Sequence, residues 1–256
     1  SLASITALVV LGGLKRIAEV ASYLVPFMGS IYFGAMLIAI VLNINLVIPA
    51  FSLIITDAFS GTAIAGGTFF GVLIYGVRRG AFSNEAGMGT ESLVHGVAKV
   101  SNPVKQGLVA MTGPIFDTLI ICTATALMIL ISGVWETSAS QGVTLTAEAF
   151  SSLLGSFGGF VLFACVICFG LSTIFTYSYY GASCSRFLFG KLGMRFYVYL
   201  YIISIFIYSI VPIDIAINIA DGAFAMMAIP TLVSALWLAP KVMQASKNYF
   251  KIIETK

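Results

Sequence analysis

Arg78-Arg79-Gly80-Ala81-Phe82-Ser83-Asn84-Glu85-Ala86-Gly87-Met88-Gly89-Thr90 is the stretch on which the architecture turns. An apolar run, residues 65–77, leads into it, and a second, residues 93–100, follows. Glycine is a poor helix former because of its backbone entropy. Ser83 and Asn84 are poor formers because their side chains compete for backbone hydrogen bonds. The pattern predicts two half-helices with an unwound middle, the second opened by Thr90 as its N-cap.

The regions to either side set this stretch in a membrane. Of 256 residues, 59% are hydrophobic and 9% charged, with 13 Lys and Arg against 10 Asp and Glu and a net charge of +3. A soluble domain carries about 25% charged residues, so the composition predicts an all-α, polytopic membrane bundle. Residues 24–43, 107–133 and 158–181 are long enough to span. Residues 196–211, closed by Pro212, and 213–238, with Asp214, Asn218 and Asp221 in its first third, are further spans. Residues 46–55 are half that length and read as an interfacial or re-entrant helix. The chain opens inside an apolar segment, residues 2–11, which reads as the end of a longer helix. The whole reads as one transmembrane domain, residues 1–256, of about six whole or interrupted spans plus the end of another.

Lys and Arg alternate along the connections: Lys15 and Arg16; none beside Asp57; Lys99 and Lys105; none from Trp135 to Phe157; Arg186, Lys191 and Arg195; none at Pro212; then Lys241, Lys247, Lys251 and Lys256. Cytoplasmic loops are the Lys/Arg-rich ones. The alternation makes residues 65–100 a single crossing and places the C-terminus in the cytoplasm of a multi-pass cell (inner) membrane protein.

Irregular backbone inside a membrane is tolerated where it lines a cavity or is buried in protein. A first half-helix ends in unpaired carbonyls, which suit an ammonium group or sodium. A second begins with amides and a positive dipole end, which suit a carboxylate. Together they fit a zwitterion. The alternative is a glycine-rich kink packed on a neighbouring helix, which leaves Arg78, Arg79 and Glu85 without a role.

Ionisable residues within spans usually pair or line pathways. Glu85 reads as an arginine's partner fixing the break, ahead of the alternative that it faces the cytoplasmic pathway, and Asp117 as a partner for Arg78, Arg79 or Lys105, or as part of a cytoplasmic gate. For Asp117, capping of its helix is an equal alternative. Asp221, seven residues after Asp214, lies near an external gate; Asp214 itself reads as solvated. His95 and Met88 read as packing residues and Trp135 as an interfacial aromatic. Cys122, Cys165, Cys168 and Cys184 read as core thiols. The +3 charge, spread over short loops, makes no basic face for nucleic acid. No phosphate-binding G-x-x-x-x-G-K-[ST] run marks a nucleotide site, and no H-E-x-x-H or G-x-S-x-G run marks an enzyme.

Residues 76–89, Gly-Val-Arg-Arg-Gly-Ala-Phe-Ser-Asn-Glu-Ala-Gly-Met-Gly, resemble the signature of the alanine/glycine:cation symporter family. Residues 103–111 and the Phe116-Asp117-Thr118 and Cys122 to Leu127 runs are similar to its next helix. Residues 12–17, 25–28 and 227–230 are similar to further segments. The resemblance implies a LeuT-type inverted-repeat transporter with alternating access, of which this chain lacks the first three transmembrane helices. It implies substrate contacts at Phe82, Ser83, Asn84 and Gly87 and, on the eighth helix, at Thr173 and Tyr177. It implies sodium ligation by the hydroxyls of Ser172 and Thr173. Thr176-Tyr177 stand where the family commonly has Gly-Trp, which makes that wall more polar. Back-bonding to the helix's own carbonyls is the alternative for these hydroxyls, Thr176 and Ser178 above all.

The expected activity is symport of a small neutral amino acid of the alanine, glycine or serine class with sodium. The expected partners are that amino acid, sodium and membrane lipid, with no other cofactor, nucleotide or nucleic acid. A proton-coupled transporter of the same fold and an ion channel are the alternatives. A channel needs a filter repeated by oligomerisation, whereas one interrupted helix favours an occluding site.

Overall fold

The computed structural model describes residues 2–59 and 68–254. Side chains of residues 2, 3, 14, 15, 68, 69, 214 and 254 fall outside the described set. The start of the expected 65–77 run, the side chains of Lys15 and Asp214, and Lys256 therefore lie outside the described residues. Every described element is a helix: α1 (Leu2–Val10), α2 (Gly13–Leu42), α3 (Ile44–Ala58), α4 (Thr68–Asn84), α5 (Thr90–His95), α6 (Pro103–Pro114), a π-helical segment (Ile115–Cys122), α7 (Thr123–Ser132), α8 (Val134–Thr137), α9 (Val143–Tyr208) and α10 (Ile213–Glu254). Among the described residues, four stretches are long and apolar enough to cross a membrane: Arg16–Leu42, Pro103–Ser132, Val143–Tyr208 and Ile215–Ile253. Large apolar side chains point outward along them, among them Phe187 at 89% exposure and Trp237 at 81%. That is the surface of a polytopic helical membrane protein, whose outer solvent is lipid.

Helix ends depart from the ends of the apolar runs. α2 extends back to Gly13, and α10 runs on through lysine-bearing sequence to Glu254. A charge does not stop a helix. α9 covers both the 158–181 and 196–211 expectations. It is cut by Gly155 (φ 67°, ψ −162°) and Gly190 (φ 69°, ψ −161°) into rods 143–154, 156–189 and 191–208. Those dihedrals are open to glycine and closed to residues with a Cβ. α3, at 15 residues, matches the expected short helix.

The residues form two compact units. One comprises Ser1–Gly71 and Ile120–Ser209. Its core joins Tyr32, Ala35, Met36 and Ala39 of α2 to Ala124 and Met128 of α7 and to Phe150, Val161, Leu162 and Cys165 of α9. The α2 positions recur at helical spacing, and the two alanines let backbones approach closely, as membrane helices require. The Tyr32 hydroxyl meets Thr125 Oγ1 at 2.9 Å, and its ring stacks on Phe150 at 5.5 Å. A second cluster sets Val10 and Ile17 against Phe175.

The other unit comprises Val72–Leu119 and Ile210–Lys256. It holds most of α4, then α5, α6, the start of the π segment, and α10. Pro114 immediately precedes the π segment. Proline has no N–H and crowds the carbonyl four residues back, so the regular ladder is already interrupted where the wider turns begin.

Candidate functional site

The break is real but shorter than the sequence suggests. Residues 78–84 stay helical as the last turns of α4, and the non-helical segment is Glu85 to Gly89. Three of its five residues have positive φ: Glu85 at 55°, Gly87 at 78° and Gly89 at 85°. Two left-handed glycines at alternate positions cannot continue a right-handed helix. α5 is six residues rather than a helix over 93–100, and its N-cap is Gly89, not Thr90. Thr90 is the first helical residue, 2% exposed, and its Oγ1 is buried with no hydrogen-bond partner among the described residues. The Gly89 carbonyl accepts from Ser92 Oγ at 2.7 Å, and the Gly87 amide donates to the Glu91 carboxylate at 3.3 Å.

The end of α4 is tied to the π segment by matched neighbours. Ser83 Oγ donates to Asp117 at 2.6 Å. Asn84 Nδ2 donates to Thr118 Oγ1 at 2.8 Å, and the Thr118 hydroxyl lies 3.2 Å from Asn84 Oδ1. Consecutive residues on one helix thus meet consecutive residues on the other. Such widened turns are rare and are frequently found at functional sites. Asp117 takes a hydroxyl donor here, in place of the expected arginine or Lys105; Lys105 Nζ reaches Ser101 instead, at 3.2 Å.

α10 holds the other side of the break. Arg78 forms an ion pair with Asp221, so this arginine has its carboxylate on α10. Arg79 lies over the Tyr75 ring, 5.0 Å from its centroid, a cation–π contact. Phe82 meets Phe224 edge-on at 4.9 Å. Thr231 packs so close to Gly89 that a Cβ there would lie 2.7 Å from its Oγ1, whereas a Cβ on Gly87 would meet Leu232 at an ordinary 3.5 Å. His95 Nδ1 lies 2.8 Å from Gln106 Nε2, which clips α5 to α6. Met88 is buried, as expected of a packing residue.

Chemically, the contacts that tie the end of α4 to the π segment offer the Asp117 carboxylate, two hydroxyls and a carboxamide, beside a break that holds Glu85 and is bonded by the Glu91 carboxylate. Such a set suits a small cation or an ammonium group. Sequence reasoning does not single out Thr118, Glu91, Phe224 or Thr231. Thr118 carries a signal, being a hydroxyl directly after an intramembrane aspartate. The α10 residues carry none.

Ser172, Thr173, Thr176 and Tyr177 lie on the middle rod of α9, in the other unit. Ser172 is buried and donates to the Phe169 carbonyl at 2.9 Å, while Thr173 is exposed. Thr176 donates to the Ser172 carbonyl at 2.9 Å and Ser178 to the Phe175 carbonyl at 2.6 Å, which is the back-bonding alternative. Ser172 also back-bonds, but a hydroxyl that donates keeps its lone pairs for a cation. Tyr177 is half-buried, its ring 5.3 Å from that of Tyr180.

The family model described as "Sodium:alanine symporter family" matches residues 1–256. The chain is 36% identical over 254 residues to the sodium/alanine symporter AgcS of Methanococcus maripaludis, covering 98% of this chain and 56% of that protein. It is 34% identical over 242 residues to the probable sodium/glutamine symporter GlnT of Bacillus subtilis, covering 94% and 51%. It is 30% identical over 258 aligned positions to a sodium/proton-dependent alanine carrier protein of Bacillus sp. PS3, covering 94% and 58%. The chain spans about half the length of the curated relatives it matches.

Proposed function

The chain belongs to the sodium:alanine symporter family, and from that premise we propose that the protein imports a small neutral amino acid together with sodium by alternating access. The family is one of membrane transporters. The alanine, glycine or serine class of substrate, a LeuT-type fold forming one transporter domain, residence in the cell membrane and a cytoplasmic C-terminus are parts of the same reading. The observation that carries it is the break at Glu85–Gly89, with Ser83 and Asn84 bound to Asp117 and Thr118 beside it. In this reading Phe82, Ser83, Asn84 and Gly87 meet the substrate. Asp117 serves its ammonium group or the coupling ion. Thr173 and Tyr177 add further substrate contacts, and Ser172 and Thr173 supply oxygens to sodium. The Thr176 hydroxyl is committed to its own helix, so the polar character of that helix face rests on Tyr177. Arg78, Arg79, Glu85 and Asp221 hold the break's shape and its access.

Amino-acid counterflow in proteoliposomes tests the activity: uptake should saturate, require sodium and follow an imposed sodium gradient. Uptake indifferent to sodium but driven by a pH gradient would replace sodium with the proton. Ser172→Ala with Thr173→Ala should raise the sodium concentration for half-maximal uptake more than it weakens substrate binding at saturating sodium. An unchanged sodium dependence would leave both as helix back-bonders.

Asp117→Asn keeps an acceptor for Ser83 but removes the charge. A hydrogen bond to a charged group contributes about 1.5–3 kcal/mol, so uptake at low substrate should fall by about tenfold or more. Uptake matching the unmodified protein would make Asp117 a helix-start cap.

A further inference from the structure

Away from the break, α6 and α10 face each other across a groove of about 600 Å³. Positions 104, 107, 108 and 111 line one wall and positions 238, 241, 242 and 245 the other, each set following one face of its helix. These are the spacings of a packed helix pair, yet the walls do not close on each other. Leu108, Met111, Leu238 and Val242 remain between 40% and 68% exposed. A Cβ on Gly107 would find nothing within 4 Å.

Water is a poor filling for this space. A buried water needs two to four polar partners, and the lining side chains that offer any are Lys241 and Ser246. Lys241 is the first charged residue after Asp221 on α10. Trp237, one turn before it and 81% exposed, is the residue type that gathers at headgroup level. The groove thus runs from apolar side chains past Lys241 to Ser246, on a helix that carries Lys247 and Lys251 further on. The occupant that matches is apolar along most of its length and anionic at one end.

We propose that this groove is a binding site for an anionic phospholipid, with an acyl chain along Val104, Leu108, Met111 and Val242 and the phosphate at Lys241. Basic residues at the mouths of grooves between membrane helices bind such headgroups. The lipid completes an interface that the two helices leave unfilled. The site is separate from the residues assigned to transport, and the inference rests only on the chain's being a membrane protein.

Native mass spectrometry of the delipidated protein, titrated with phosphatidylglycerol or with phosphatidylcholine of the same chains, tests it. The unmodified protein should retain phosphatidylglycerol preferentially. Lys241→Gln should weaken that retention about fivefold, the effect of one basic residue at the membrane surface, and remove the preference. Gly107→Leu should lower retention of both lipids, since its side chain enters the groove while a leucine suits a helix better than glycine does. Equal retention of the two lipids by the unmodified protein overturns the proposal. So does phosphatidylglycerol binding that neither substitution alters. A groove covered by another part of the protein or by a second copy would retain no lipid, and that result overturns it too.

Discussion

Gly89→Ala is expected to lower transport at least tenfold while the protein still inserts in the membrane. Two effects add at this one residue. Its φ of 85° lies in the left-handed region, where a Cβ costs about 1–2 kcal/mol. The new methyl group would also lie 2.7 Å from Thr231 Oγ1. Thr231 cannot simply swing away, because its hydroxyl donates to the Met227 carbonyl at 2.9 Å. Overpacking of this kind costs about 1–3 kcal/mol, and tenfold in rate corresponds to about 1.4 kcal/mol. Gly87→Ala has the same backbone strain but an ordinary 3.5 Å contact with Leu232, so it should lose less. Thr231→Ala added to Gly89→Ala removes the crowded oxygen and leaves the strain, so recovery should be partial. Initial uptake rates, normalised to inserted protein, decide the order. Full activity in Gly89→Ala would mean that the break's shape does not govern transport.

The second large effect is on the Arg78–Asp221 pair, and its signature is non-additivity. The Asp221 side chain is 11% exposed and that of Arg78 53%. Arg78→Leu leaves a largely covered carboxylate without its partner, and an acceptor stranded in this way costs about 1–3 kcal/mol. Asp221→Leu strands a cation that is half exposed and has a long stem with which to reach water, so its loss should be smaller. Replacing both with leucine should return most of the lost stability, because neither charge then lacks a partner. Thermal midpoints in nanodiscs for the two single variants and the double would show this. Losses that simply add would mean that the two charges do not act as a pair.

The helical membrane class followed from composition alone, and the place of the break followed from where the glycines fall. Its extent did not. Residues 78–84 contain poor helix formers, yet the contacts of Arg78, Phe82 and Ser83 with α10 and the π segment hold them helical. Packing of this kind outweighs propensity. Thr90 is the right residue type for a cap, but Gly89 at positive φ takes that position and turns Thr90 inward. α9 contains many glycines, of which Gly155 and Gly190 bend it while Gly158, Gly159 and Gly170 stay helical. Residue type cannot make that choice, because it depends on what each backbone packs against. For the same reason the acid and base were visible individually, but their partners were not. Arg78 and Asp221 are 143 residues apart.

Glu85 is the one non-glycine at positive φ among the described residues. Glycine there would relieve the left-handed strain, offset in part by glycine's greater freedom in the unfolded chain. A laboratory screen that rewards heat tolerance alone would therefore be drawn to Glu85→Gly. It would select a sturdier scaffold that has lost the carboxylate at the start of the break. If Glu85 holds the break's shape as proposed, robustness and competence pull in opposite directions at this residue, and uptake measured beside the thermal midpoint of Glu85→Gly would show it.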